Sequence, residues 1–419
     1  GLQGVDGRSF VVGVYNLDPN PQRQGETLEG LVPLFVAQER EGDRLGWAEA
    51  NITNLMVARD KQSVVYIFWQ KLSDDKYTSN VLRVANKIRI GAELFNSNIY
   101  NQNFDWKKVL VNWDEVNDQI RNGKIPFDTE IFDKVWLDRT DRLLSFAKRH
   151  KLPVAGSGFL FWSSDIPEFI YKGGFAPEER RKLFEFMAKA KVLRFREQIT
   201  EWTVTSEIAA SELWGPDQFK QLYRQLGSRK FISDLFFWAR EINPESRLVL
   251  AEDHILDVNN DAHRQLSTRF FELLADLKQY GTPIDAIDLE NNFWIYAPPN
   301  REEMIMKLKQ LQEMGFSIAA PETIIAVSEV WPLWKERPRT VNSIANETLA
   351  QAQIAADMTS AYLKVNGEIG FFSGTDYITW FNEIGHPEAT PEILDDKMQP
   401  KAAYYAVLSE ILRYLLQSQ

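Results

Sequence analysis

Two glutamates close short apolar runs that read as buried strands: Glu207 follows residues 199–206 and Glu329 follows residues 324–328. Comparable run ends carry Asn96, Asn98, Asp114, Glu115, Ser163, Asp165, Asp253, His254, Glu290, Asn291, Asn292, Asp376 and Trp380. Amides and carboxylates hydrogen-bond hydroxyl groups, and tryptophans such as Trp162, Trp294, Trp331 and Trp380 stack on flat sugar faces. Splitting a glycosidic bond takes two carboxyl groups flanking it. One is protonated and donates its proton to the leaving oxygen; the other is ionised and attacks the anomeric carbon or activates water. In a retaining mechanism the two stand only about 5 Å apart.

The elements that must bring Glu207 and Glu329 together are legible as a rhythm. From about residue 81, β-branched apolar runs alternate with helical patterns, as in βαβ units around a parallel sheet. Eight strands are expected, at 88–94, 109–113, 153–162, 199–206, 248–252, 284–290, 324–328 and 369–373. Between them lie helices such as 177–195, whose Leu183, Phe184, Phe186, Met187 and Ala190 share one face behind an acidic first turn. A last helix over 401–416 would close the ring against the first strand. The expectation is a (β/α)8 TIM barrel over 81–419 with reacting groups at the C-terminal strand ends, where strands four and seven face each other. Runs at 10–15, 31–37, 48–57 and 63–69 predict a small β-rich module over residues 1–80. No Ser/Pro-rich linker follows it, so it is expected to pack on the barrel.

Composition narrows the function further. Among 419 residues, 48 Lys+Arg against 59 Asp+Glu leave a net charge of −11, which repels phosphate backbones and anionic lipid and argues against nucleic acid as a partner. No apolar run approaches the roughly 20 residues that span a bilayer, so no membrane association is expected. The absence of Cys removes disulfides, thiolate nucleophiles and Cys-based metal sites. The four His show no ligand spacing, and no metal or other cofactor is expected. His254 reads as a hydrogen-bonded structural residue and Asp253 as a cap on the helix that follows it. Phosphate-loop, dinucleotide-binding and nucleophile-elbow motifs are lacking. Gly1 in place of an initiator Met fits a processed or recombinant N-terminus from which a secretory leader could have been removed, and the expected location is secreted or extracellular.

The segment Glu201-Trp202-Thr203-Val204-Thr205-Ser206-Glu207 resembles the strand-four W-D-V-x-N-E segment of glycoside hydrolase family 10, the xylanases. The segment from Ile325 to Val330 resembles that family's strand-seven I-T-E-L-D segment. Trp162 and Pro167 match the strand-three W-H-x-Q-x-P segment. Gly370 to Trp380 matches strand eight, and Gln399-Pro400-Lys401-Ala402-Ala403-Tyr404 matches the final-helix signature. These matches run in order over about residues 81–419. The resemblance implies a retaining endo-β-glycanase, xylan by default, with Glu207 as acid/base and Glu329 as nucleophile.

The sugar-binding shell departs from that pattern. Ser206 replaces Asn before the acid/base, Ser163 replaces a strand-three His, Asn292 stands for the strand-six His, and Phe372 for a strand-eight Trp. Of the strand-two E-N-x-M-K run only Asn112 aligns. By resemblance the substrate-binding groups are Asn112, Trp162, Ser163, Ser206, Glu290, Asn292, Trp331, Phe372 and Trp380. The partner is a polysaccharide or oligosaccharide. A rewritten shell also fits a β-glycanase or transglycosylase for another sugar, or an inactive carbohydrate-binding barrel.

Overall fold

The structure is a computed structural model. It describes residues 12–15, 32–36, 52–59, 65–73, 76–84, 99–149, 154–156, 166–258, 260–295, 297–320, 323–326, 341–365, 368–372 and 401–417. Twelve strands lie among these residues: β1 (Val12–Tyr15), β2 (Val32–Val36), β3 (Ile52–Arg59), β4 (Val65–Ser73), β5 (Lys76–Val84), β6 (Val154–Gly156), β7 (Ile199–Ser206), β8 (Arg247–Asp253), β9 (Ala286–Trp294), β10 (Ser317–Ala320), β11 (Thr323–Ala326) and β12 (Glu368–Phe372). The chain divides into two compact units. One holds residues 91–290 and 315–318; the other holds 1–90, 291–314 and 319–419.

In the unit built on residues 91–290, β6, β7, β8 and the first half of β9 pair in parallel in that order. From Trp202 to Ser206 every residue of β7 is buried, as a strand covered on both faces requires. Helices supply the cover. The helix Pro177–Phe195 coincides with its expected span. Pro177 stands at its first position, the Glu179 carboxylate accepts the Ala176 N–H at 2.7 Å, and Leu183, Phe184, Phe186 and Met187 are buried. Lys189 of the same helix is fully buried, its ammonium 2.7 Å from Glu185 and 2.8 Å from Glu241, so its charge is compensated where the helix is covered.

The expected second strand, 109–113, is not a strand. Residues Lys107–Val111 and Trp113–Arg121 form two short helices. Of that β-branched run Val109 is buried while Val111 is exposed, and the second helix buries Val116 and Ile120, four residues apart on one helical face. Strand β9 runs four residues past its expected end at Glu290, because its second half, Asn291–Trp294, pairs in parallel with β11. Strand β10, Ser317–Ala320, matches none of the eight expected runs.

Among the described residues the other unit carries an antiparallel sheet and the parallel pairs β9–β11 and β1–β12. Strands β2 to β5 form an antiparallel meander, the core of the β-rich region expected over residues 1–80, although β5 runs on to Val84. The run at 10–15 does not belong to it. Its strand β1 pairs in parallel with β12, Val12 opposite Ile369 and Tyr15 opposite Phe372. Strand pairing is non-local, so a short apolar run carries no label for its partner. The helix Ala402–Gln417 falls where the closing helix was expected and packs along the helix Val341–Lys364. The expected first strand, 88–94, lies outside the described residues. Among the described residues no helix is long and apolar enough to cross a membrane.

Candidate active site

Glu207 follows directly on β7, where a register irregularity between Thr203 and Thr205 re-aims the last residues of the strand. Its N–H donates to the Ala251 carbonyl at 3.1 Å, which extends the pairing with β8 by one residue. It then enters the left-handed region, φ 52° and ψ 36°, as the N-cap of the helix Ile208–Trp214. A side chain in that conformation costs about 1–2 kcal/mol, and such strain gathers where a fold must present a group for function. His254, directly after β8, has φ 53°. Adjacent parallel strands thus each end in a strained residue.

Three carboxylates converge at this end. Oxygens of Glu207, Asp253 and Glu290 all lie within 4.8 Å of one another, contributed by the ends of β7, β8 and the middle of β9. Asp253 stands opposite Glu290 in the β8–β9 register. The buried Ser206 hydroxyl donates to Glu290 Oε1 at 2.7 Å. Two residues expected to bind substrate, Ser206 and Glu290, are therefore bonded to each other, and both stand beside Glu207. Asp253 does not cap the following helix: Asn260 does so, accepting the His263 N–H at 2.8 Å, while Asp253 accepts the His254 N–H at 2.6 Å.

Glu252 went unremarked in the sequence because a Glu inside a strand pattern carries no sign of its partner. It is wholly buried, and its carboxylate accepts the N–H groups of Ala209 at 2.8 Å and Ala210 at 3.3 Å. Burial pushes this carboxyl well above the usual range against those two donors, and the nearby charges of Glu207 and Asp253 add to the rise.

Behind Asp253 lies a second group. His254 Nε2 is 3.3 Å from Asp253 Oδ2, the His254 and His263 rings stack at 4.2 Å, and His263 Nδ1 is 3.1 Å from Asp257 Oδ2. Burial works against a charge on His254, but the carboxylates of Asp253, Asp257 and Glu207 outweigh it and hold the imidazolium above its ordinary value. Burial likewise opposes charge on Asp257, and the two imidazoles overcome it, holding this carboxyl at about 2. The Asp257 contribution to stability is present above its ordinary value of 3.8 and is lost as pH falls toward 2. That of His254 is complete below 6.5 and is lost as pH rises through its raised value. Asp257→Asn is accordingly expected to destabilise the fold by about 2–3 kcal/mol between roughly pH 4 and 6.5, with the difference shrinking on either side. Denaturant midpoints measured across pH for both proteins check this, and a difference independent of pH would contradict it.

The remaining predicted site residues fall out differently. Asn112, proposed because it aligns with the family's strand-two run, is exposed between the two short helices and lies on no strand. Asp114 and Glu115 lie in the exposed first turn of the second of these helices. Asn292 is half-buried on β9 opposite Ile324 of β11, and Phe372 ends β12 opposite Tyr15. Glu329, Trp162, Ser163, Trp331 and Trp380 lie outside the described residues. Several other tryptophans are packing residues: Trp106, Trp136, Trp202 and Trp238 are buried, and Trp106 stacks on Phe169 at 4.3 Å.

Strand ends crowded with carboxylates on a parallel α/β frame are shared by many hydrolases; comparison with known proteins decides among them. The profile of glycosyl hydrolase family 10 matches residues 113–410. The chain belongs to that family. It is thus a glycoside hydrolase with the family's (β/α)8 barrel. It is similar to a thermostable celloxylanase of Thermoclostridium stercorarium, 25% identical over 65% of this chain and 72% of that protein. It is also similar to endo-1,4-beta-xylanase 1 of Humicola insolens, 20% identical over 60% of this chain and 54% of that one. Among solved structures, native xylanase 10B from Thermotoga maritima aligns with a TM-score of 0.56 at 18% identity, covering 80% of this chain and 89% of that one. Identity is low over most of the length, as in a divergent member of the family.

Proposed function

We propose that this family 10 hydrolase is a retaining endo-β-glycanase that cleaves xylan or a closely related β-linked polymer. Glu207 is its acid/base and Glu329 its nucleophile. The observation that carries the reading is the placement of Glu207 on the end of β7, in a strained conformation, with its carboxylate beside those of Asp253 and Glu290. A carboxyl at a strand end beside two others is a polar cluster suited to meeting sugar hydroxyls and a glycosidic oxygen. In the first step Glu207 protonates the glycosidic oxygen as Glu329 attacks the anomeric carbon, and the leaving sugar departs with the proton. In the second, Glu207 takes a proton from water, whose oxygen displaces Glu329. Each step inverts the anomeric carbon, so the product keeps the β configuration.

Ser206 and Glu290 are proposed to bind sugar, with Ser206 acting through Glu290 because its hydroxyl is already committed there, and Asn292 is a proposed sugar contact by family pattern. Trp162, Ser163, Trp331, Phe372 and Trp380 are further proposed contacts by the same pattern. A substrate that is itself an extracellular polymer goes with a secreted enzyme. Proton NMR of xylo-oligosaccharide hydrolysis tests the mechanism: the β-anomer of the new reducing end is expected to appear first and the α-anomer only by later mutarotation. Immediate α-anomer would exclude double displacement, and no turnover on any β-glycan would favour an inactive binding barrel.

A further inference from the structure

We propose that Glu252 is a positioning residue for catalysis, a buried carboxylate that caps the helix behind Glu207 in place of Glu207 itself and so keeps the Glu207 carboxyl available to the scissile bond. The inference rests on the reading of Glu207 as acid/base.

A helix begins with N–H groups that have no partner in the helix. The N-cap side chain ordinarily accepts one of them, at the second or third helical position. Glu207 is the N-cap of Ile208–Trp214, which makes Ala209 and Ala210 those second and third positions. Both of their N–H groups donate to Glu252, one to each carboxylate oxygen. The donors a cap would take are thus already engaged by a side chain from the neighbouring strand, and Glu207 makes no cap hydrogen bond. Its carboxylate stands instead with those of Asp253 and Glu290.

The alternation along β8 accounts for this division of labour. Neighbouring residues of a strand point to opposite faces. Glu252 therefore reaches the backbone of the helix after β7, and Asp253 reaches the carboxylate cluster. Glu252 has no exposure and is beyond reach of a substrate, so its influence passes through the backbone of residues 207–210. Without it, two unsatisfied N–H groups would lie within reach of the Glu207 carboxylate. A capping carboxylate there would satisfy them and complement the helix dipole at the expense of proton donation to the substrate.

The test uses the dependence of cleavage on the leaving group. An aryl β-xylobioside with a 2,4-dinitrophenyl leaving group departs without a proton, whereas a phenyl leaving group needs one. Glu252→Leu is expected to lower kcat/KM on the phenyl substrate at least tenfold more than on the dinitrophenyl substrate. Glu252→Gln, which keeps one oxygen acceptor in the same shape, should show a smaller loss of the same kind. Equal losses on the two substrates in whichever variant folds, or no loss on the phenyl substrate, would overturn the proposal, since a purely structural role lowers both alike. Glu207→Ala is measured alongside. If that variant shows no leaving-group dependence, the acid/base reading is what fails; if it does while the Glu252 variants do not, Glu207 stands and the positioning role is wrong.

Discussion

Glu329→Gln is expected to reduce xylan hydrolysis by on the order of 10⁴-fold or more, because an amide can neither attack the anomeric carbon nor balance the charge that builds there. Glu207→Ala should cost about 10²–10⁴-fold on the same polymer, the usual range for a lost general acid/base. The two losses differ in kind. With Glu207 removed the nucleophile still works on an activated leaving group, and the glycosyl-enzyme then waits for a base. Added azide, which needs no base, is expected to restore turnover of a dinitrophenyl glycoside and to yield a β-glycosyl azide. In a Glu329→Ala variant azide would attack from the vacated side and yield the α-product. Azide product stereochemistry therefore assigns each glutamate to its step. Undiminished hydrolysis in either variant would remove that residue from the mechanism, and interchanged products would reverse the assignment.

Trp202→Ala should produce the largest loss of stability that the described residues point to, about 3–5 kcal/mol. Trp202 lies five residues before Glu207 on β7, is 1% exposed, and stands opposite Gly156 of β6 in the strand register. The pair is a small residue beneath a large one. A Cβ on Gly156 would sit 2.3 Å from the Trp202 ring, so the indole occupies the space that any other residue at 156 would claim. Truncating it leaves a cavity between two parallel strands whose helical cover is already close-packed, and little can collapse into the gap. Guanidinium denaturation of wild type and variant measures the difference, and a loss below about 1 kcal/mol would mean the sheet repacks.

Much of this protein was legible from residue types and periodicity. The span of the helix Pro177–Phe195 followed from an apolar face behind a Pro and an acidic turn, and β7 from a buried β-branched run. The position of Glu207 followed from the pattern at the end of that run. These are local signals, carried by side chains a few residues apart. The same signals misjudged 109–113, where β-branched residues at helical spacing outweighed strand propensity. They also assigned 10–15 to the N-terminal module, since the partner of β1 lies more than 350 residues away in β12.

What only the tertiary structure decided was which groups meet. Ser206 and Glu290 are 84 residues apart and share a hydrogen bond. Asp253 turned from a helix cap into a member of the carboxylate cluster. Glu252, silent in the sequence, holds two amides 42 and 43 residues away. The physical reason is the same each time. An apolar pattern fixes which face of an element is buried through solvent alone, a property of the local chain. A buried polar group must be satisfied by a specific partner, and in a parallel sheet that partner arrives from the next strand after an intervening helix, at a separation no local pattern records. Sequence alone therefore set Glu207 at the end of β7, while the packing of β7, β8 and β9 decided which residues surround it.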